Sequence, residues 1–221
     1  MVSVVLHHYI LLMRCRKVCS FDFDGTLTYS DTLLGFIAYA KGTVRFATGF
    51  LLYSPLLVAM KLGFIPNYKV KQRVFAHFFR GMRLTDFDVL CRSFAEHRGG
   101  ILRPQAIQAV NRALADGAEV LIVSASIDNW VKCFVPYFGT SDEDRQRVSV
   151  LGTQVETDRN GLLTGRFATK NCYGAEKVRR IEAHCGDRTT YELTAYGDSC
   201  GDKEMLAYAD KGYFKPFRQR A

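Results

Sequence analysis

Three short apolar runs constrain this chain most. KVCSFDF (17–23), AEVLIVSAS (118–126) and YELTAY (191–196) are each of strand length, and each closes on acids, hydroxyls or a glycine turn. Helical periodicity fills the intervals. Strands alternating with helices build an α/β fold on a parallel sheet. Helices are expected over 104–116, with Pro104 in the first turn and Gly117 past the end, and over 128–138, 173–185 and 203–209. Residues 148–167 read as strands around an Asn160–Gly161 turn, and 212–214 as a last short strand.

One block breaks the alternation. From Thr32 to about His97 the pattern is helical: 32–41, 43–63 with a break at Pro55, 68–80, and 85–97 capped by Thr85. The chain divides into an α/β core, 1–31 plus 104–221, and an inserted helical unit, 32–103. The insert also carries the charge. Residues 33–103 hold eleven Lys/Arg against Asp86, Asp88 and Glu96, so the whole net charge of +8 lies there. Such a block either presents a positive field to an anionic ligand or is a solvated basic surface.

Phe46–Met60 runs fifteen residues without a charge, short of the roughly 20 needed to span a bilayer, and Ser54–Pro55 interrupts it. A buried helix of the insert is expected, with surface-lying membrane contact as the alternative. Phe46, Phe50, Phe64, Phe75, Phe78 and Phe79 recur at helical spacing, which points to core rather than to a nucleic-acid surface, so no nucleic acid is expected as a partner. Met1–Met13 is apolar but lacks a basic start and a small-residue cleavage site, leaving Met1 or Met13 as the natural start. Seven cysteines without a CxxC pair suggest reduced, packing thiols and a cytoplasmic location.

Ligand sites of parallel α/β sheets lie beyond the carboxyl ends of the strands. The stretch FDFDGTLT places Asp22 and Asp24 at such an end. Alone, the pair reads equally as turn acids or as a site for a hard dication such as Mg²⁺. Other junctions add to it: Ser124 closes VLIVS, Asp198 closes LTAYGD, Asp202 begins a helix, and Lys177 stands at a helical start.

That set, in that order, resembles the haloacid dehalogenase (HAD) superfamily. DFDGT (22–26) resembles its first motif, Ser124 its second, Lys177 its third and GDSCGDKEML (197–206) its fourth. The phosphoserine-phosphatase-like branch, subfamily IB, fits best. The resemblance implies a Rossmann-like core with helices on both faces and a C1-type helical cap. It implies a Mg²⁺-dependent phosphatase acting through an aspartyl-phosphate on a small phosphorylated metabolite. Asp22 would be the nucleophile and Asp24 the general acid and base. Asp22, the Asp24 carbonyl and Asp198 would hold Mg²⁺; Ser124 and Lys177 would hold phosphate; Asp202 and Thr26 would support. Lys170 is the alternative lysine.

Asp24 disfavours dehalogenation, because the dehalogenases of this superfamily lack that second acid. Asp31 stands where phosphoserine phosphatases carry a glutamate for the substrate amine, and it also reads as an N-cap for the helix from Thr32. Arg45, Arg73 and Arg80 are candidates for substrate contact or simply face solvent. Open alternatives are a phosphatase of lipid-headgroup phosphates at a membrane surface, a phosphomutase, and a non-enzymatic anion-binding or nucleic-acid-binding protein. The oligomeric state is not legible.

Overall fold

A computed structural model describes residues 15–62 and 64–218; the Met1–Met13 stretch lies outside them. In chain order the elements are β1 (Arg16–Phe21), α1 (Thr32–Lys61), α2 (Asn67–Phe79), α3 (Leu84–Arg98), α4 (Pro104–Ala115), β2 (Glu119–Ile127), α5 (Asp128–Lys132), α6 (Asp142–Gln146), β3 (Val148–Thr153), β4 (Val155–Thr157), β5 (Leu163–Phe167), α7 (Ala175–Cys185), β6 (Tyr191–Gly197), α8 (Lys203–Tyr208) and β7 (Lys211–Phe214).

The main sheet is parallel, in the order β3-β2-β1-β6-β7. Its strands alternate their faces with period two. Val120 and Ile122 pack with Val110 and Leu114 of α4. Leu121 and Val123 pack with Ile181 of α7 and Met205 of α8. Both faces are therefore covered, as the continuous apolar strands required. The register aligns the strand ends: Phe21 is level with Ile122 of β2 and Tyr196 of β6. Asp22, Ser124 and Asp198, each one or two residues further on, reach the same edge.

The helical insert departs from expectation in four places. Pro55 does not break α1, which runs from Thr32 to Lys61. Proline lacks the amide that would bond the carbonyl of Leu51, and the Ser54 hydroxyl donates to that carbonyl instead, at 2.8 Å. The bend falls at Gly42, where the expected helices 32–41 and 43–63 meet, and its φ of 77° favours glycine. Thr85 is not the cap of α3: the helix starts at Leu84, whose amide donates to the carbonyl of Gly161 at 2.9 Å, which satisfies one of the first-turn donors. Finally, Thr43–Met60 is not buried. Only 6% of it is enclosed, and by length and composition it is apolar enough to cross a membrane. One side packs on α2, and the other meets no element among the described residues. Phe75 and Phe79 are core as expected, whereas Phe50 and Phe64 are exposed.

Residues 128–138 are also not one helix. α5 ends at Lys132, and Val135–Tyr137 forms a 3₁₀ turn, because Pro136 cannot continue the α-helical ladder. In 148–167 only β4 and β5 form the hairpin around Gly161; β3 belongs to the main sheet. The hairpin braces the insert, with Gly81 N donating to Leu163 O at 2.8 Å and Leu163 N to Met82 O at 2.8 Å. The insert meets the core through aromatic rings: Phe36 stacks on Trp130 with centroids 4.8 Å apart, and Phe87 and Phe94 meet Phe36 edge-on.

Candidate active site

β1 ends at Phe21, and the amide of Asp22 still pairs with Tyr196 O at 2.9 Å. A single helical turn follows, Phe23–Leu27. Gly25 permits it in two ways. Its φ is 81°, and a Cβ there would lie 2.5 Å from Asp198 Oδ2. Only glycine lets the turn close this near the acid of β6. Thr26 then donates to Asp22 Oδ2 at 3.2 Å.

Lys177 is fully enclosed. Its ammonium donates to Asp22 Oδ1 and Asp202 Oδ1, both at 2.6 Å, and to Val123 O at 2.7 Å. Three donors meet three acceptors, which satisfies a buried ammonium. Burial opposes its charge, but the two carboxylates outweigh burial and hold its pKa above the ordinary lysine value. Lys170 is exposed, and its carbonyl accepts from Arg180. Of the two lysines, Lys177 is therefore the one that reaches these carboxyls.

Asp202 is saturated. Besides Lys177, its other oxygen accepts from Asp198 N, Ser199 N and Ser199 Oγ at 3.1, 2.9 and 2.8 Å. Burial opposes its ionisation, yet the Lys177 ammonium and these donors hold its carboxyl below the ordinary value. Asp22 differs. Burial pushes it up to about 7 against the pull of Lys177.

Asp24 lives among neutral donors. Thr32 N and Thr32 Oγ1 donate to its Oδ1 at 2.8 and 2.7 Å, and the Ser126 hydroxyl donates to its Oδ2. Trp130 Nε1 in turn donates to Thr32 Oγ1 at 3.1 Å. Burial, with a further push from Asp31, raises the Asp24 carboxyl above its ordinary value. Sequence reasoning missed Thr32, Ser126 and Trp130 as its holders. The signal was the second hydroxyl of SAS in 124–126. Ser124 is buried beside them, and its Oγ accepts from Ser126 N at 3.0 Å.

Asp22, Asp198 and Asp202 each place an oxygen within 4.8 Å of the others, an all-oxygen set of the kind a hard dication takes. Because the oxygens of Asp202 are engaged by donors, Asp22 and Asp198 are the pair with capacity for a cation. A guanidinium already exploits the place: Arg218 meets Asp198 Oδ2 at 2.5 Å. The residues therefore fit Mg²⁺.

Asp31 caps α1, accepting from Leu33 N at 2.9 Å, so the helix-cap reading of this residue holds in the structure. Arg45, Arg73 and Arg80 are exposed. Arg80 lies with Asp158 and Arg166 at the hairpin. Lys71 is instead the basic side chain of the insert that shares a cavity with Asp31.

Comparison with known proteins accords with this geometry. Residues 19–207 match the haloacid dehalogenase-like hydrolases. Protein CicA of Caulobacter vibrioides is 33% identical over 201 residues, spanning 90% of this chain and 86% of its own length. A protein of unknown function from Bordetella pertussis Tohama I superposes with a TM-score of 0.71 at 20% identity, over 87% of this chain and 86% of that one. A phospho-aspartyl intermediate analogue of phosphoserine phosphatase superposes with a TM-score of 0.54 at 14% identity, over 91% and 86%.

Proposed function

The chain belongs to the haloacid dehalogenase-like hydrolase family, and from that premise we propose that it is a Mg²⁺-dependent phosphomonoester hydrolase with Asp22 as nucleophile. The observation that carries this reading is the contrast between two carboxyls at one strand end. Asp22 faces an ammonium and a cation place, while Asp24 is held by neutral donors, the Thr32 amide and the hydroxyls of Thr32 and Ser126. Environments that separate two acids assign their roles.

Asp22 attacks phosphorus, and the bond to the leaving oxygen breaks. Asp24, two residues on, delivers its proton to that oxygen. Asp24 then takes a proton from the water that attacks the aspartyl-phosphate, which frees phosphate and regenerates Asp22. Thr32 and Ser126 hold the Asp24 carboxyl in place between the two steps. Mg²⁺, held by Asp22, Asp198 and the Asp24 carbonyl, would supply positive charge against the incoming phosphate. Lys177 opposes the effect of burial on Asp22 and aligns it, Asp202 fixes Lys177, and Ser124 offers a hydroxyl to a phosphate oxygen. The covalent step is in keeping with the fold shared with phosphoserine phosphatase, which has been solved as a phospho-aspartyl intermediate analogue.

The test is release of phosphate from p-nitrophenyl phosphate and a panel of phosphomonoesters, with Mg²⁺ and then with EDTA. Turnover that EDTA removes and Mg²⁺ restores is expected; a chain inactive on every ester with Mg²⁺ present overturns the reading. Asp24→Asn is expected to lower turnover of a phosphorylated alcohol by about 10²–10⁴-fold. Read as kcat/KM, which stops at formation of the phospho-enzyme, the loss should be smaller for p-nitrophenyl phosphate, whose leaving group departs without a proton. Equal losses on both would remove the acid role.

A further inference from the structure

The insert holds an apolar cavity of about 180 Å³ between α1 and α2. One end carries Asp31 and Lys71. The wall continues through Leu34, Phe50, Tyr53, Leu57 and Met60. The polar end adjoins the catalytic carboxyls, because Asp31 caps the same helix start whose Thr32 amide holds Asp24. The apolar end opens among the side chains of the exposed helix. The apolar wall of this cavity can accept hydrocarbon.

The outer face of that helix is apolar as well. Val44, Leu51, Val58 and Leu62 recur at helical spacing along it, with Leu52 beside them, at 78%, 75%, 56%, 66% and 66% exposure. Phe64 follows at 78%. An exposed apolar patch of this extent marks an interaction surface. Its surroundings state the partner's charge. From Thr32 to Thr85 the sequence holds eight Lys/Arg and no Asp or Glu, and Lys41, Arg45, Lys69 and Arg73 flank the apolar stripe in sequence. Apolar side chains inside a purely basic segment suit an anionic lipid interface, where burial and charge attraction add. The inner face of the helix is covered by α2, so the helix lies on a bilayer rather than crossing it.

We infer that α1 and α2 seat the protein on an anionic lipid bilayer, and that its substrate is a phosphomonoester lipid whose hydrocarbon enters the cavity while its phosphate reaches Asp22. This rests on the phosphomonoesterase reading for the chemistry, but the membrane seat is independent of turnover. The reaction is hydrolysis: water adds at phosphorus, and a lipid alcohol and inorganic phosphate leave.

The experiment separates the two readings. Asp22→Asn, which does not turn over, is sedimented with phosphatidylcholine vesicles with and without phosphatidylglycerol. It should bind only the anionic vesicles, and added salt should weaken binding. The double variant Leu51→Glu/Leu52→Glu should lose at least tenfold in vesicle binding while keeping turnover of soluble p-nitrophenyl phosphate. Wild-type protein should hydrolyse phosphatidic acid in those vesicles with kcat/KM at least tenfold above that for glycerol 3-phosphate. A protein active on p-nitrophenyl phosphate that ignores anionic vesicles, or prefers glycerol 3-phosphate, overturns the inference. So does a dimer that Leu51→Glu/Leu52→Glu converts to monomer, since a second copy would then cover the face. Failure on all esters defeats the phosphatase reading instead and leaves the sedimentation result standing.

Discussion

Asp22→Asn should abolish turnover, by more than about 10⁴-fold, the order expected when a nucleophile acting within a catalytic unit is removed. The amide keeps the shape of the carboxyl, so Thr26 and Lys177 retain a partner of similar reach. It cannot attack phosphorus. Burial already pushes the Asp22 carboxyl up to about 7, so exchanging it for a neutral group does not expose an unmet charge, and Lys177 keeps Asp202. Thermal unfolding of the variant should match wild type or lie slightly above it. Rapid quench with radiolabelled substrate should trap protein-bound phosphate in wild type and none in the variant. Near-normal turnover by Asp22→Asn would end the covalent assignment.

Lys177→Met should do what Asp22→Asn does not: damage the fold together with the chemistry. The ammonium is the shared counter-ion of two enclosed carboxyls. Removing one partner of a buried pair costs about 3–5 kcal/mol, which for a chain of this size lowers Tm by on the order of 10 °C. The pH response should steepen as well, because in wild type only Asp22 of the two is raised. In wild type, the carboxyl of Asp202 is held below its unfolded value. Its contribution is present at neutral pH and lost as pH falls through that lowered value. Without Lys177, burial raises both carboxyls, so the variant should gain stability relative to wild type as pH falls from neutral toward about 5. Calorimetry across that window reads the sign directly. Adding Asp202→Asn should recover part of the lost stability and none of the activity. A variant as stable as wild type at neutral pH would show that the bridge is not what holds this end of the sheet.

Much of the site was legible because parallel strands write it into sequence. A strand buried on both faces is an unbroken apolar run, so its end is visible, and Asp22, Ser124 and Asp198 each stand just past one. Lys177 was less visible, since a lysine at a helix start looks the same in solvent as on two carboxylates. Ser126 was invisible as a partner of Asp24, since 102 residues separate them and no pattern records a contact across that distance, and Thr32 read only as a helix start. The exposure of Thr43–Met60 was hidden for a different reason. Apolar periodicity reports what a helix could bury, not whether anything arrives to bury it. The reading of Pro55 as a break failed because one serine hydroxyl replaced the missing donor.

The brace between the hairpin and the insert has a further consequence. Gly81, Met82 and Leu84 are tied by backbone bonds to Leu163 and Gly161, and Phe167 N donates to Gln72 of α2 at 3.1 Å. At its other root the insert is pinned by Thr32 on Asp24 and by Arg103, whose guanidinium donates to Thr28 O at 3.0 Å. An insert anchored at both roots and at its far turn cannot swing away as one body. Thr43–Met60 lies outside these ties and is mostly exposed, and the chain bends where it begins, at Gly42. Opening of the apolar cavity between α1 and α2 would therefore fall to that arm and not to the insert as a whole.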